Sequence, residues 1–418
     1  MTAQGLDYQG RVGSSGMMNV IAREVGTPAY VYDLAELRLA AADLGEMLPT
    51  GSTTFYSVKA NPHPRVIAEL ASSGCRVEVS STGELHAAIG AGLPGEVCLY
   101  NGPAKSAQEI RIALDAGVRW YSVDSGGQFE MLRKLAEAAG VVVEVLLRVN
   151  GDAGVRGQGL AMTGTASQFG IDISTVLGNP TKFARSGSVR IAGLHCYMGT
   201  NVADEEALVA TFRLVADTAR TIAPLLPDGL RVLDLGGGFA APFARKGSRP
   251  DYPSLRRQLD QMKEELPGVP DLWFESGRFL SACAGTLLTR VADVKESKGK
   301  TFVMLDSGIH HLGGMSGLRR VPPIMTELVT DASTQGTTVR ADVVGPLCTP
   351  LDAWARGADV PQVSVGDLLQ VPNVGAYGLT GSLLGFLSHP IAPEVIVDRG
   401  RIIEVSQLEL VRTLRAHQ

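Results

Sequence analysis

The sequence predicts a parallel (β/α)8 barrel, TIM-like in plan, joined to a second, mostly antiparallel β domain. Three observations lead there. Eight short β-rich runs alternate with helix-like stretches between about residues 50 and 280. Each run delivers a polar or glycine group at its carboxyl end. Beyond residue 283 the apolar spacing changes to a period near two, broken by Pro and Gly.

The strand candidates are Thr53–Val58, Cys75–Val79, Val97–Tyr100, Arg119–Val123, Val142–Val149, Arg190–Cys196, Arg231–Leu235 and Leu272–Phe274. Between them PRVIAELASSG, GELHAAIGAGL, SAQEIRIALDAG and QFEMLRKLAEAAG carry apolar residues three and four apart, mostly closed by glycine. A doubly wound open sheet is the competing arrangement. After the barrel, GTLLTRVADVKESKGKTFVMLD, TTVRADVVGP, GDLLQVPN and PEVIVDRGRIIEVSQ read as antiparallel strands. The segment Pro28–Tyr32 is a strand candidate for this same domain. The expected division is therefore a barrel over 38–282, with 1–37 and 283–418 forming the β-rich domain.

Composition narrows the function. The 418 residues are 45% hydrophobic and 19% charged, with net charge −5 and no basic stripe, which argues against nucleic acid. No apolar run approaches the roughly 20 residues that cross a bilayer, so no membrane is expected. The start, MTAQGLDYQGRVGSSGMMNV, lacks the pattern of a secretory signal. Five scattered cysteines without a CxxC or CxxH pair suggest reduced thiols in a cytoplasmic protein and no metal site.

In such a barrel the chemistry lies at the carboxyl ends of the strands. Read there, the chain presents Lys59, Glu78, Asn101, Asp124, Arg148, His195 with Tyr197, Gly236-Gly237-Gly238, and Glu275 with Gly277-Arg278. The last two loops, LGGGF and ESGRF, follow strands seven and eight, where barrels often hold phosphate. Backbone N–H groups of the glycines and the planar fork of Arg278 suit an anion. Lys59 closes an apolar strand beside that loop pair, where a desolvated amine can form an imine with a carbonyl.

YSVKANPHPRVIAELASSGCRVEVSSTGEL, LHCYMGTN, DLGGGF, ESGRF, GPLCTPLD and GAYG occur in this order. Together they resemble the pyridoxal 5'-phosphate (PLP) dependent decarboxylases of the alanine-racemase-like fold, such as diaminopimelate and ornithine decarboxylases. The resemblance runs from about residue 28 to 400. It implies that Lys59 is the Schiff-base lysine, with Glu78 and Arg148 in the cofactor site. Gly236, Gly237, Gly238, Gly277, Arg278 and Tyr377 would hold the phosphate, with Thr200 nearby. Glu275 would face the pyridine nitrogen, where racemases of this fold place an arginine, so decarboxylation is favoured over racemisation, and the presence of both Lys59 and Cys348 argues against a non-catalytic role. Cys348 would come from the neighbouring subunit of a homodimer and reprotonate the carbon after CO2 leaves.

Two departures from the family pattern matter. Tyr197 stands where the family stacks a histidine on the ring, with His195 two residues earlier on the same strand face as the alternative. Thr349 stands where enzymes of basic amino acids carry an acid that holds the distal ammonium, so lysine, ornithine and diaminopimelate are disfavoured. DSGIHHLGGMSGLRR, GPLCTPLD and GLTGSLLGFLSHP resemble a subgroup with exosortase-associated enzymes and natural-product enzymes that decarboxylate a glutamyl group on an acyl carrier protein. In that reading His310 and His311 line the substrate side, a surface role for one of them being the alternative. The expected substrate is an amino acid, free or carried on an acyl carrier protein.

Overall fold

The computed structural model describes residues 15–151, 166–183, 187–268, 270–313, 328–330 and 337–414. The GMSGLRR end of the histidine-bearing stretch and the first fourteen residues lie outside them. The chain forms two compact units: Leu37–Ala241 with Arg249–Leu280, and Met1–Glu36 with Pro242–Ser248 and Ser281–Gln418. No helix among the described residues is long and apolar enough to cross a membrane.

The first unit is the barrel. Its eight parallel strands are Thr53–Ser57, Arg76–Val79, Cys98–Tyr100, Trp120–Val123, Val143–Asn150, Val189–His195, Val232–Asp234 and Asp271–Ser276. Each pairs with its neighbour in chain order, and strand one pairs with strand eight, so no edge remains. Serine or aspartate ends several strand-to-helix turns. Ser81, Ser106 and Ser125 accept the N–H of Glu84, Glu109 and Gln128, and Asp204 that of Ala207. These caps satisfy N–H groups that the first helical turn leaves unpaired.

Side chains two apart on a strand share a face. Phe55, Leu99, Leu146, Ala192, Val232 and Trp273 make one buried apolar cluster, with Trp120 packed against it. The Arg76 guanidinium lies 5.0 Å from the Phe55 ring and 5.4 Å from that of Trp273. Gly193 is required here, because a Cβ would collide with the Val232 carbonyl oxygen. Two residues further along the same strands stand Ser57, Glu78, Asn101, Ser122, Arg148, Asp234 and Glu275, all buried. Thus one step of the β period turns an apolar plug into a polar mouth.

In the second unit Ala29–Asp33 lies between Gly285–Ser297 and Glu394–Asp398, antiparallel to the first and parallel to the second. The strand expected before the barrel is therefore part of the β-rich sheet. Most pairings are antiparallel, but Lys300–Leu305 and Thr338–Val344 run parallel. The helix Ser15–Glu24, which the sequence pattern did not announce, packs Met17, Met18 and Ile21 against Val31, Leu288, Val395 and Val397. All five cysteines are free thiols, with Cys348 exposed.

Candidate active site

Lys59 stands in a single 3-10 turn, Val58–Ala60, that follows strand one; the buried Val58 and Ala60 anchor it. Its side chain is 42% exposed whereas that of Glu78, from strand two, is 1% exposed. The Lys59 Nζ lies 3.2 and 3.3 Å from the two Glu78 oxygens. Burial alone would raise the pKa of Glu78. The Lys59 charge and hydrogen bonds from Ser57, Lys59 and Ser80 outweigh it, and the carboxylate stays below its usual range.

Strand eight brings the ESGR turn beside this lysine turn, since Ser276 pairs with Tyr56. A Cβ on Gly277 would lie 2.8 Å from the Ala60 Cβ, so only glycine lets the two turns close on each other. Arg278 follows it and opens the short helix Arg278–Ser281.

The glycine run follows strand seven. Gly236 and Gly238 have φ of +65° and +114°, and a Cβ on Gly237 would collide with the Glu275 carbonyl oxygen. The Gly236 N–H donates to Asp234 Oδ1 at 2.9 Å. Of the three N–H groups expected to meet an anion, the first is thus engaged internally. Those of Gly237 and Gly238 form no hydrogen bond among the described residues. Tyr197 packs on this run, its Cδ2 2.8 Å from where a Gly236 Cβ would stand; Tyr197 and Thr200 are half-buried.

Glu275 is buried inside the barrel. Its Oε1 accepts from Asn101 Nδ2 at 3.1 Å and faces His195 Nε2 at 3.6 Å. Asn101 Oδ1 meets Arg148 Nη1 at 3.5 Å, and His195 Nδ1 lies 2.8 Å from Ser122 Oγ. Asp124 accepts the Gly170 N–H at 2.9 Å and lies 3.7 Å from Arg148 and 4.0 Å from Lys105. Burial, then Glu78 and Asp234, push Glu275 well above the carboxylate range. Burial first and Glu78 after it push Asp234 up to about 7. Burial, with Arg148, Lys59 and Lys105, keeps His195 neutral, and burial brings Lys105 down to about 8. Ligand-type atoms of His195, Asp234 and Glu275 lie within 4.8 Å of one another.

The remaining expected residues belong to the second unit. Cys348 and Thr349 stand on the loop after Thr338–Val344. Asp352 holds this loop: Oδ2 accepts the Leu347 N–H and Oδ1 that of Ile309, both at 2.8 Å. Gly308 and Gly345 leave the space its carboxylate occupies. His310 and His311 are both buried, with ring centroids 3.8 Å apart, and His389 lies 4.9 Å from His310. Burial and the neighbouring imidazoles bring His310 down to about 3; burial brings His311 down to about 4. Tyr377 is half-buried with a left-handed φ of +56°.

The strand ends thus bring together Lys59, Glu78, Arg148, Tyr197, the glycine run, Glu275, Gly277 and Arg278 in one unit. Asn101 and Asp124 were visible as strand-end residues but carried no role. Ser122, Lys105, Asp234 and Asp352 were missed. Ser122 and Asp234 were findable, because each lies two residues before a strand-end group.

Residues 34–282 match the family model described as the pyridoxal-dependent decarboxylase, pyridoxal binding domain. The chain is similar to diaminopimelate decarboxylase of Zymomonas mobilis, 31% identical over 406 residues, covering 94% of this chain and 93% of that protein. It is 29% identical to the L-glutamyl-[BtrI acyl-carrier protein] decarboxylase of Niallia circulans, covering 92% and 91%. Among solved structures, diaminopimelate decarboxylase from Helicobacter pylori complexed with L-lysine superposes with a TM-score of 0.81 at 24% identity, covering 92% of this chain and 95% of that one.

Proposed function

The chain belongs to the pyridoxal-dependent decarboxylases and is a PLP-dependent amino-acid decarboxylase; on that premise we propose how its residues divide the reaction. The residues present fit the cofactor. An amine at the barrel mouth, a buried carboxyl group whose Oε2 makes no hydrogen bond among the described residues, and a glycine cradle that a Cβ would fill all belong to one unit. When bound, PLP supplies a carbonyl for the amine and a protonated ring that accepts the electron pair left by departing CO2.

Lys59 would hold the cofactor carbonyl, with Glu78 fixing its Nζ in place. Glu275 would face the ring nitrogen and, as a carboxylate, would hold its proton there by charge. Tyr197 would stack on the ring, since His195 is buried between Ser122, 2.8 Å from its Nδ1, and Glu275, 3.6 Å from its Nε2. Gly237, Gly238, Gly277 and Arg278, with Gly236 shaping the turn, would take the phosphate, with Thr200 near them on the same unit; the role of Tyr377 rests on the family resemblance alone. Arg148 acts through Asn101. What carries this reading is the pairing of strands one and eight, which sets the Lys59 turn beside the strand end that carries Glu275.

Cys348, exposed on its loop, delivers a proton from Sγ across a two-fold homodimer. His310 and His311 serve the substrate side through Asp352, which ties the Ile309 backbone to the Cys348 loop. Complementation tests the shared site. Lys59→Ala and Cys348→Ala, each nearly inactive, should regain about a quarter of wild-type activity when their subunits exchange. No recovery despite demonstrated exchange would mean that each site is built within one chain.

The substrate side chain carries no distal ammonium, because Thr349 supplies no charge to hold one. An aminoacyl group on an acyl carrier protein, of the kind used in specialised metabolism, suits this and matches the carrier-bound substrate of one relative. A CO2-release assay over lysine, ornithine, diaminopimelate, free glutamate and carrier-bound glutamyl group decides. Turnover of the glutamyl forms supports the reading. Preference for any of the three basic amino acids overturns it.

A further inference from the structure

His195 is 0% exposed, and its Nε2 forms no hydrogen bond within the normal range, yet it faces Glu275 Oε1 at 3.6 Å. Its other nitrogen lies 2.8 Å from Ser122 Oγ, also in the interior. A buried imidazole kept neutral carries one N–H, and the neighbours decide where. With the proton on Nδ1, the Nε2 lone pair would face a carboxyl oxygen with no solvent between them. With the proton on Nε2, Ser122 donates to Nδ1 and an N–H points at Glu275. With Glu275 ionised, as its role opposite a protonated ring nitrogen requires, only the second arrangement satisfies all three groups.

Asn101 repeats this logic from the other side. Arg148 is a donor only, so its approach to Asn101 Oδ1 fixes the amide with Nδ2 toward Glu275 Oε1. Two donors therefore converge on one oxygen, while Oε2 makes no hydrogen bond among the described residues. We propose that Ser122 and His195, in parallel with Arg148 and Asn101, are positioning residues that bring two N–H donors to Glu275 Oε1 and so reserve Oε2, as a carboxylate, for the ring nitrogen of the cofactor. The need for them follows from the surroundings. Burial first, then Glu78 and Asp234, press a proton onto Glu275, and Lys59 and Arg148 draw it off. The two donors add to the second side.

This inference rests on Glu275 being the partner of the ring nitrogen, so the test separates the two. Holoenzyme is prepared with PLP labelled with nitrogen-15 at the ring, and its chemical shift reports protonation directly. The wild type should show a protonated nitrogen, and Glu275→Gln a largely unprotonated one. His195→Phe and Ser122→Ala should move the signal part-way toward the unprotonated value and lower kcat by about tenfold with KM little changed. His195→Gln, which restores an N–H donor, should move the signal back. A wild-type shift in His195→Phe overturns the proposal; if that variant does not fold, a wild-type shift in Ser122→Ala overturns it. A wild-type shift in Glu275→Gln instead removes the reading of Glu275 on which both stand.

Discussion

The two ends of the barrel use the same strands for opposite purposes. At the lower end Trp273 packs within 4.9 Å of Phe55 and 4.6 Å of Trp120, ring to ring, and Arg76 covers the rings. At the upper end Glu275, two residues along from Trp273, is held by Asn101 and faces His195. The lower layer is apolar and gains from burial. The upper layer is buried as well, but its groups are acids, bases and amides that burial disfavours. Stability and chemistry are thus separated by one β period, about 7 Å of strand.

Substitutions at the two ends should therefore have different consequences. The largest effect belongs to the upper end. Glu275→Gln should lower turnover by about a hundredfold or more while keeping its cofactor in large part, because Arg278 and the glycine loops are untouched. Steady-state kinetics with a cofactor-content assay reads both quantities. A parallel loss of cofactor and turnover would mean that the carboxylate binds more than it tunes.

The lower end should behave in reverse. Trp273→Ala removes a buried ring from the aromatic cluster and should cost about 3–5 kcal/mol of stability. Chemical denaturation checks this. At temperatures where the variant stays folded, its cofactor spectrum should match the wild type. A changed spectrum would show that the two layers are not independent.

The smallest effect is a pH dependence confined to the upper layer. Asp234 is pushed from its usual 3.8 up to about 7, by burial first. A carboxyl raised in the folded state favours folding while protonated, and that advantage is lost as pH rises through about 7. Cofactor-free protein should melt lower at pH about 8 than at pH about 5, with this group accounting for about 2–4 °C. Asp234→Asn, whose side-chain oxygen can still accept the Gly236 N–H, should flatten the slope. An unchanged slope would place the titration elsewhere.

The barrel strands and Lys59 were legible because apolar runs, glycine stops and strand-end polar groups lie along the chain within a few residues. The eight-strand count and the Ala29–Asp33 strand followed from the same local signals. Pairs made across the barrel were not legible. Ser122 and His195 come from strands four and six, and their approach depends on closure and stagger, which no short window encodes. Asp352 was hidden for a similar reason: its partners, the Leu347 and Ile309 N–H groups, are backbone groups without a residue-type signature. The parallel pairing of Lys300–Leu305 with Thr338–Val344 likewise leaves no mark in the alternation of either strand.

The central claim is that strand one presents Lys59 to the cofactor. Borohydride reduction of the yellow holoenzyme, followed by peptide mapping, tests it most directly, because reduction makes the lysine–cofactor bond permanent. The account predicts one labelled peptide, covering YSVKANPHPR, with the label on Lys59 and no covalent label in Lys59→Ala. The buried Lys105 serves as the internal control, since burial brings it down to about 8 and makes it the other amine of the barrel poised to react. A label on Lys105, or on any lysine but Lys59, would contradict the account.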